Sequence, residues 1–357
     1  MTFTIKAQPL QSFAREIFAA AATPDDIAAC VAESLVTTNL MGHDSHGVLR
    51  VKQYVSMIRR GMIKPSERPR VRKRVGAVAM VTLAYGFGQI GARFAAEMAI
   101  EMAREHGIAA VSLGQTTHVG RLGEWTGMIA AGGMIGIGFA GGGFSHGFVA
   151  PYGGRERLFS TNPMSFAVPC GDEETLLLDF ATSGVAHGKV MLAQSKGEPL
   201  PQGMMLDKAG RPTTEAADLD AGGVLLPMGL HKGSGLSLMM EIIPNLLAGD
   251  RPMSSPEFHY GNPMLLLALL PEAFDEATDF AAHVEALKTR VKAVKPAAGF
   301  EEALLPGEPE ARSYAERVKY GIPLPDQVWA DLCGLADELG VKLPAPPPAP
   351  PQSIAEG

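Results

Sequence analysis

A glycine-rich turn between a strand and a helix is the feature that most restricts the fold of this chain. Val75–Ala84 alternates like a strand, Gly86–Gly91 has the GxGxxG spacing, and Ala92–His106 has helical periodicity. A second apolar run, Ile108–Leu113, follows as the next strand. This order predicts a strand–helix–strand unit, which is the setting of the dinucleotide-binding fingerprint of a Rossmann fold.

Two observations argue against a Rossmann fold. The second predicted strand leads into Gly114, Gln115 and Thr116, without the acidic side chain that binds the ribose hydroxyls in that fold. A second GxGxxG match, Gly136–Gly141, lies inside a predicted strand and leads into no helix. The fingerprint therefore indicates an α/β region but does not by itself identify a cofactor site.

Helical patterns flank this α/β region on its N-terminal side. Residues 9–22 and 24–40 are predicted helices, with Thr23 as the N-cap of the second. A third helix is predicted to stop at Gly61. The proline-rich and basic segment Lys64–Lys73 is predicted to be a linker.

The C-terminal part of the chain is predicted to be mostly helical. An amphipathic helix is expected over residues 278–294, and Arg312 lies in a charged helix that follows the next turn. Asp326–Leu339 is the last predicted helix. The proline-rich stretch Leu343–Pro351 is typical of an extended, disordered tail.

The composition excludes several functional classes. The 357 residues carry a formal net charge of −7, which disfavours nucleic acid and anionic membranes as partners. Cys30, Cys170 and Cys333 have neither metal-ligand nor disulfide spacing, which fits a reducing compartment. The start of the chain lacks a signal-peptide pattern, and the longest strongly apolar run, Met264–Leu270, is too short to span a bilayer. We expect a cytoplasmic globular enzyme.

The segment Gly42–Arg50 concentrates groups that suit acid–base chemistry on a carboxylate. If Ser45 caps a helix, His46 lies in its first turn, and Arg50 lies on the same face four residues later. A proton carrier would then stand beside a forked carboxylate binder, as a 2-hydroxy-acid dehydrogenase requires. The alternative is an ordinary helix N-terminus with a polar cap and a surface arginine.

Four further segments combine polar side chains with glycine-rich or tight turns. Each could be a simple connector, but four of them in one chain favour a ligand site. In the last segment Lys232 precedes a helix predicted from about Leu236, which suits a pyrophosphate although the P-loop spacing is absent. The four segments are Thr117–Arg121, Phe159–Pro163, Asp179–Lys189 and Gly229–Gly235.

Three other functional classes fit the sequence less well. A metal-dependent enzyme would use His43 and His46, but no HxxxH–carboxylate set accompanies them, and we expect no metal. A serine hydrolase would pair Ser45 with His46, but adjacent residues in a helix point about 100° apart and no G-x-S-x-G turn is present. A non-catalytic binding protein would bind ligands without oxidising a reduced nicotinamide.

Taken together and in order, the motifs resemble those of the malate/L-lactate dehydrogenase family. That family also includes sulfolactate, ureidoglycolate and diketogulonate oxidoreductases and Δ1-piperideine-2-carboxylate reductases. The resemblance covers roughly residues 10–320. The motifs that carry it are Asp44–Gly47, Thr117–His118, Ser160–Pro163, Asp179–Ser183, Gly188–Lys189, Pro212–Thr214, His231–Gly233 and Pro306–Glu308.

The resemblance implies an α/β (α+β) fold of the non-Rossmann, malate/L-sulfolactate dehydrogenase type, and a homodimer. Residues 1–72 are then expected to form a helical domain, joined by C-terminal helices within residues 310–343. Residues 73–309 would form an α/β domain for NAD(P) binding and dimerisation, and residues 344–357 a disordered tail. The resemblance also reassigns the match at Gly86–Gly91 to a plain strand–helix turn.

The resemblance further implies roles for individual residues. His46 resembles the proton donor and acceptor of the family, Ser45 its orienting neighbour, and Arg50 the ligand of the substrate carboxylate. His118 resembles a second active-site imidazole, which some members use as the base, so the main acid–base group stays open between the two histidines. The substrate-side positions are Thr161, His187 and Gly188. The positions that resemble contacts to NAD or NADP are His118, Val119, Gly120, Arg121, Leu122, Asp179, Phe180, Ala181, His231, Lys232, Leu305, Pro306, Gly307 and Glu308.

Lys189 bears on two substrate classes that the resemblance leaves open. The imine-reducing branch of the family carries an acidic residue directly after the glycine that Gly188 resembles, where this chain has a lysine. A lysine there would repel an iminium cation at close range. We therefore expect hydride transfer between NAD(P) and a small 2-hydroxy or 2-keto acid of the malate, lactate or sulfolactate type. The alternative is NADPH-dependent reduction of a cyclic imino acid.

Overall fold

The chain folds into two compact units. The computed structural model describes residues 2–144, 146–171, 175–251, 253, 255, 257–258, 260–275 and 279–344. The first unit contains the described residues of Met1–Gly61 and Pro309–Gly357, and the second unit is Met62–Glu308. No helix in these described ranges is long and apolar enough to cross a membrane.

Helices and strands are numbered separately along the chain. The helices are α1 (Ala7–Ala20), α2 (Asp25–Leu40), α3 (Arg50–Arg59), α4 (Gly88–His106), α5 (Leu122–Ala131), α6 (His187–Lys196), α7 (His231–Leu247), α8 (Phe280–Lys292), α9 (Glu308–Tyr320) and α10 (Asp326–Leu339). The strands are β1 (Thr2–Ile5), β2 (Arg70–Val75), β3 (Val78–Thr82), β4 (Ile108–Gly114), β5 (Ile135–Ala140), β6 (Gly143–Phe144), β7 (Pro163–Pro169), β8 (Thr175–Ala181), β9 (Met205–Leu206), β10 (Pro212–Thr213), β11 (Val224–Leu225), β12 (Tyr260–Gly261), β13 (Met264–Leu269) and β14 (Ile322–Pro325). Short 3₁₀ turns lie at Asp44–His46, Ala216–Leu219 and Pro271–Ala273.

The first unit joins the two ends of the chain. Strand β1 pairs antiparallel with β14, so that Ile5 lies opposite Ile322. Phe3 stacks on Trp329 of α10, with ring centroids 3.9 Å apart. Helices α1, α2, α3 and α10 pack around a shared apolar core. Fully buried members of this core are Leu10, Ile17, Phe18, Val31, Leu35, Val51 and Ala336.

The second unit is built on a seven-stranded sheet with the order β2-β3-β4-β13-β5-β7-β8. Strands β3 and β4 are parallel and are connected through α4, as the sequence predicts, but every other neighbouring pair in this sheet is antiparallel. A Rossmann sheet is parallel, so this is a different α/β architecture. On β4, Val111 and Leu113 pack with α4 and α5, whereas Ser112 Oγ donates to the backbone oxygen of Leu247 on α7. Because strand side chains alternate between faces, α7 covers the opposite face of the sheet.

Gly88 explains why the GxGxxG turn is not a cofactor cradle. The Gly88 N–H donates to Thr117 Oγ1 at 3.1 Å. A Cβ atom on Gly88 would lie 2.3 Å from the backbone oxygen of His118. The start of α4 is therefore filled by the chain itself, and the glycine serves close packing. The second match lies along β5, as the sequence predicts, where Gly136 lets the backbone of α5 approach at Thr126.

Some boundaries differ from the sequence-based expectations. The segment Lys64–Lys73 is not wholly a linker, because Arg70–Val75 forms β2 at the edge of the sheet with all six residues exposed. Basic side chains suit such an edge, since they oppose pairing with another chain. The division between the units consequently falls after Gly61 rather than after residue 72. Helix α2 has Pro24, not Thr23, as its N-cap. Residues 345–357 of the predicted tail lie outside the described residues.

Candidate active site

Ser45, His46 and Arg50 form one hydrogen-bonded array in the first unit. Ser45 Oγ lies 2.9 Å from His46 Nδ1. Arg50 Nε donates to the backbone oxygen of Ser45 at 2.8 Å, and Arg50 Nη1 donates to Gln53 Oε1 at 2.7 Å. Ser45 therefore holds the imidazole through its side chain and the guanidinium through its backbone. The three residues are half-buried, which limits the number of positions that each side chain can adopt.

This array does not lie on one α-helix, as the sequence suggested. Asp44–His46 is a single 3₁₀ turn, and α3 begins at Arg50 with Leu49 as its N-cap. The expected Ser45 cap is therefore wrong, and so is the i, i+4 relation of His46 and Arg50 on one helix face. The same geometry removes the argument from helical directions against a Ser–His pair, because Ser45 and His46 are in contact.

Polar contacts within the first unit fix this turn. Asp44 accepts hydrogen bonds from both terminal nitrogens of Arg317, at 2.6 and 3.0 Å. Asp44 also accepts from Asn39 Nδ2 at 2.6 Å, while Asn39 Oδ1 accepts from the Val48 N–H at 2.8 Å. Bidentate arginine–carboxylate pairs fix the relative orientation of the two side chains and also stabilise the structure. The backbone is thus anchored on both sides of His46.

The contact between the Asn39 side chain and the Val48 N–H requires a glycine at position 47. A Cβ atom at this position would lie 2.2 Å from Asn39 Oδ1. We expect Gly47→Ala to lower the free energy of unfolding by about 1–3 kcal/mol, the usual cost of overpacking. Chemical denaturation measures this loss. Gly334→Ala is the matched control, because a Cβ atom there meets nothing within 4 Å on α10; equal losses in the two variants would contradict the packing argument.

The side chain of His43 contacts Glu310 in the first unit. Its Nε2 lies 3.1 Å from Glu310 Oε1, an ion pair when the histidine is protonated. Across the described residues, no group of three or more His, Cys, Asp or Glu side chains could hold a metal ion. The metal-dependent alternative depended on His43 and His46. This pair therefore has no third metal ligand among the described residues.

In the second unit, residues from a distant part of the sequence hold the backbone at His118. The His118 N–H donates to Tyr260 Oη at 3.0 Å, and the Val119 N–H donates to Asn262 Oδ1 at 3.1 Å. Asn262 Nδ2 also donates to the Gly141 oxygen at 2.8 Å. Sequence reasoning missed Tyr260 and Asn262, because no local pattern marks residues that act so far along the chain.

The carboxylate of Asp179, a residue of β8, lies at the start of α5, next to the end of the 118–122 segment. Its Oδ2 accepts from the Gly123 N–H at 2.7 Å, in the first turn of that helix. An acidic group there complements the helix dipole. Arg121, the N-cap residue of α5, is only 7% exposed, and its Nε has no hydrogen-bond partner among the described residues. Two of the sequence-predicted segments therefore meet at this helix end.

Thr161 lies in a turn that is bonded to the end of β8. The backbone oxygen of Thr161 accepts from the Thr182 N–H at 2.9 Å, and that of Asn162 accepts from Thr182 Oγ1 at 2.9 Å. Thr182 Oγ1 also lies 2.6 Å from Ser237 Oγ on α7. The Thr182 oxygen accepts from the Met228 N–H at 2.9 Å, just before α7. These bonds join the predicted substrate-side turn to the predicted cofactor turn.

Helix α7 begins at His231, earlier than the predicted start near Leu236, so Lys232 lies in its first turn. Lys232 is exposed. The preceding Leu230 has φ 59° and ψ −124°, a conformation that non-glycine residues rarely adopt. Such strain collects at ligand-binding turns. An ammonium group and the positive end of a helix of 17 residues thus share one exposed turn.

The turn at Leu305–Glu308 lies against β8. The Leu177 N–H donates to the Pro306 oxygen at 3.3 Å. Glu308 Oε2 accepts from the Leu305 N–H at 3.0 Å and from Lys292 Nζ at 2.9 Å. Although partial burial opposes the shift, these bonds hold the pKa of Glu308 below its ordinary value. The carboxylate of Glu308 is thus engaged in holding its own turn.

Gly188 and Lys189 lie in the first turn of α6. The side chain of His187, the first residue of this helix, lies outside the described part of the structure. Val190 is buried in an apolar cluster with Leu219, whereas Lys189 is exposed. The helix therefore orients Lys189 toward solvent in the second unit.

Glu241, which sequence reasoning did not single out, is a carboxylate inside the second unit. Its Oε1 accepts from Asn162 Nδ2 at 3.1 Å. Its Oε2 accepts from Asn245 Nδ2 at 2.9 Å and from the Met253 N–H at 3.2 Å. Burial raises the pKa of Glu241 above its ordinary value, and the hydrogen bonds oppose this shift. The one available signal was an acidic residue within an otherwise apolar helical run.

Comparisons with known proteins cover nearly the whole chain. A family model described as malate/L-lactate dehydrogenase matches residues 5–333. Hydroxycarboxylate dehydrogenase B of Escherichia coli O157:H7 is 37% identical over 343 residues, with 94% of each chain covered. The sulfolactate dehydrogenase structure from Methanocaldococcus jannaschii has a TM-score of 0.85 and 30% identity, covering 96% of this chain and 98% of that one. The Δ1-piperideine-2-carboxylate reductase structure from Pseudomonas syringae pvar. tomato has a TM-score of 0.83 and 29% identity, covering 93% and 99%.

Proposed function

Because the chain belongs to the malate/L-lactate dehydrogenase family, we propose that it transfers a hydride between a nicotinamide cofactor and a small 2-hydroxy or 2-keto acid. The array of Ser45, His46 and Arg50 is the observation that carries this proposal. Oxidation of the hydroxyl requires a base that takes its proton as the carbonyl forms, and reduction requires the matching acid. A histidine can perform both steps near neutral pH.

Each member of the array has a distinct task in this proposal. The bond from Ser45 to His46 Nδ1 orients the ring, so that Nε2 exchanges the proton with the substrate oxygen. The Arg50 guanidinium, positioned by the Ser45 carbonyl, binds the substrate carboxylate. A fixed carboxylate orients the adjacent reacting carbon, which lowers the entropic part of the barrier. Thr161, His187 and Gly188 are the further substrate-side residues, and His118 is the alternative acid–base group.

Two features of the second unit fit a nicotinamide dinucleotide. The first turn of α7 joins the positive end of a helix dipole to Lys232, which suits a phosphate. The buried Nε of Arg121, without a partner among the described residues, needs an acceptor such as a phosphate or amide oxygen. The start of α4 does not fit, because the backbone at His118 fills it. When bound, the cofactor supplies the hydride acceptor or donor. The segments that would hold it are 118–122, 179–181, 231–232 and 305–308.

Lys232→Ala tests the proposed phosphate contact. Loss of a charge-assisted hydrogen bond should raise the Kd for NADH or NADPH by about tenfold, and added salt should weaken binding to the wild type more than to the variant. Fluorescence titration of the reduced cofactor measures both effects. Lys73→Ala, at an exposed position on β2, is the charge-matched control. Equal affinities in the Lys232 and Lys73 variants would remove α7 from the proposed cofactor site.

The solved imine reductase among the similar structures supports a second candidate, reduction of a cyclic imino acid. We favour the keto acid because relatives that are 31–37% identical to this chain are named hydroxycarboxylate, malate, lactate and sulfolactate dehydrogenases. Lys189 is exposed, and it adds to this preference only if its ammonium group approaches the substrate, where it would repel an iminium cation but not a neutral carbonyl beside a carboxylate. The wild type should prefer pyruvate or oxaloacetate over Δ1-piperideine-2-carboxylate by about tenfold or more in kcat/KM.

Loss of absorbance of the reduced cofactor, with NADH and NADPH tested separately, measures the substrate preference. In the variant Lys189→Asp, the ratio of kcat/KM for the keto acid to kcat/KM for the imine should decrease. A wild type that prefers the imine would support the second candidate and contradict the argument from Lys189. Turnover of neither substrate class with either cofactor would contradict the proposed function itself.

A further inference from the structure

We propose that Glu241 is a positioning residue, which holds the turn at Thr161 and the start of α7 in one fixed arrangement through Asn162 and Thr182. The inference rests on the proposed function, since Thr161 and Lys232 are its substrate-side and cofactor-side residues. Glu241 itself has no place among the groups that contact substrate or cofactor in that function.

The first step in the argument is the set of donors around the carboxylate. Glu241 is 4% exposed. It accepts from Asn162 in the turn, from Asn245 one helical turn further along α7, and from the Met253 N–H in the following loop. A buried carboxylate is costly without such donors, and here they link the turn, α7 and the following loop.

The second step is the backbone of Asn162. This residue is fully buried and has φ 36°, which is uncommon for a residue other than glycine. Such a conformation persists only when surrounding contacts enforce it. Asn162 Nδ2 donates to Glu241 Oε1 and to the Ser237 oxygen, and its own backbone oxygen accepts from Thr182 Oγ1. Through Asn162, Glu241 thus acts on the backbone next to Thr161 rather than on the side chain of Thr161.

The third step is that the series of hydrogen bonds that begins at Glu241 returns to α7, the helix that carries Glu241. From Asn162 it continues through Thr182, whose backbone oxygen accepts from the Met228 N–H at 2.9 Å. The Met228 oxygen accepts from the Gly233 N–H at 3.0 Å, in the first turn of the helix that also carries Glu241. A Cβ atom on Gly233 would lie 2.0 Å from that same oxygen. The turn therefore cannot shift relative to the start of α7 without breaking one of these contacts.

A double-variant cycle in the 357-residue chain tests the proposal. Glu241→Gln keeps the size of the side chain but turns an N–H group toward one of the donors, and we expect kcat/KM to fall by about tenfold. Because this variant removes a buried charge, its melting temperature should stay within about 3 °C of the wild type. Glu97→Gln, exposed on α4, is the matched control and should leave both quantities unchanged.

The reciprocal variant is Asn162→Asp, which retains tolerance of a positive φ but sets a second carboxylate against Glu241. We expect kcat/KM to fall by about a hundredfold. In the variant Glu241→Gln/Asn162→Asp, an amide N–H again faces a carboxylate, with donor and acceptor exchanged. This double variant should recover at least about tenfold of the loss caused by Asn162→Asp, a coupling typical of directly bonded residues.

The readouts separate positioning from plain stability. Recovery of kcat/KM in the double variant supports the proposal. Recovery of the melting temperature without recovery of kcat/KM overturns it, as does simple additivity of the two single losses. If the wild type turns over no keto acid, the proposed function fails, and the same cycle is then read through the Kd of NADH and NADPH. Rescue of that Kd supports the positioning role, whereas its absence, or a wild type that binds neither cofactor, overturns it.

Discussion

We expect replacement of His46 by alanine to lower kcat by roughly 10²–10⁴-fold while the Kd for reduced cofactor stays unchanged. The reason is that the hydroxyl proton then has no positioned acceptor when the carbonyl forms. Binding of the cofactor is unaffected because its proposed contacts lie in the second unit, whereas His46 lies in the first. Steady-state kinetics in both directions, together with a fluorescence titration of the cofactor, measure the two quantities.

Two further variants decide which imidazole carries the proton. Ser45→Ala should reduce kcat by less than His46→Ala, because it removes the bond at Nδ1 but leaves the proton-carrying ring in place. His118→Ala should retain more activity than His46→Ala if His46 is the main acid–base group. Near-normal turnover in His46→Ala, with loss of turnover in His118→Ala, would transfer the role to His118.

We expect replacement of Arg50 by lysine to lower kcat/KM for a 2-keto acid by about 10–100-fold, even though the positive charge is kept. A lysine cannot present two parallel N–H groups to a carboxylate, and it cannot donate through an Nε to the Ser45 oxygen as Arg50 does. The carboxylate and the reacting carbon beside it would therefore be less well oriented. The melting temperature should change little, because the array is only half-buried.

The controls for Arg50→Lys isolate the carboxylate. Arg60→Lys, at the exposed end of the same helix, should behave as the wild type. A ketone of similar size without a carboxylate should show nearly the same kcat/KM in wild type and Arg50→Lys. If the variant and the wild type were indistinguishable on pyruvate and oxaloacetate, Arg50 would have no part in substrate binding.

Elements whose signals are local were predictable from the sequence. The helix predicted at Asp326–Leu339 has those bounds in the structure, because apolar periodicity and end signals lie within the segment. The strand–helix–strand unit around Gly86–Gly91 is also present. The order of the motifs likewise indicated the malate/L-lactate dehydrogenase family, which the match over residues 5–333 confirms.

The glycine fingerprint shows where local signals lose their meaning. Its spacing, its strand and its helix all fit a Rossmann unit, yet the start of the helix is filled by the backbone of Thr117 and His118. Every other neighbouring pair in the sheet is antiparallel, and β13, a late strand, inserts between β4 and β5. Strand order depends on pairing between residues far apart in the chain, and no short window of sequence encodes it.

By itself, then, the sequence determined the type of most elements, the family, and the residues around which a site could form. Only the tertiary structure decided how those residues are held. The turn of His46 is 3₁₀ rather than α-helical, and Asp44, beside it, is bonded to Arg317, 273 positions away. Glu241 reaches Asn162 across 79 positions. Periodicity reports which side of an element is apolar, whereas a buried hydrogen bond depends on a partner that the fold alone brings within 3 Å or so.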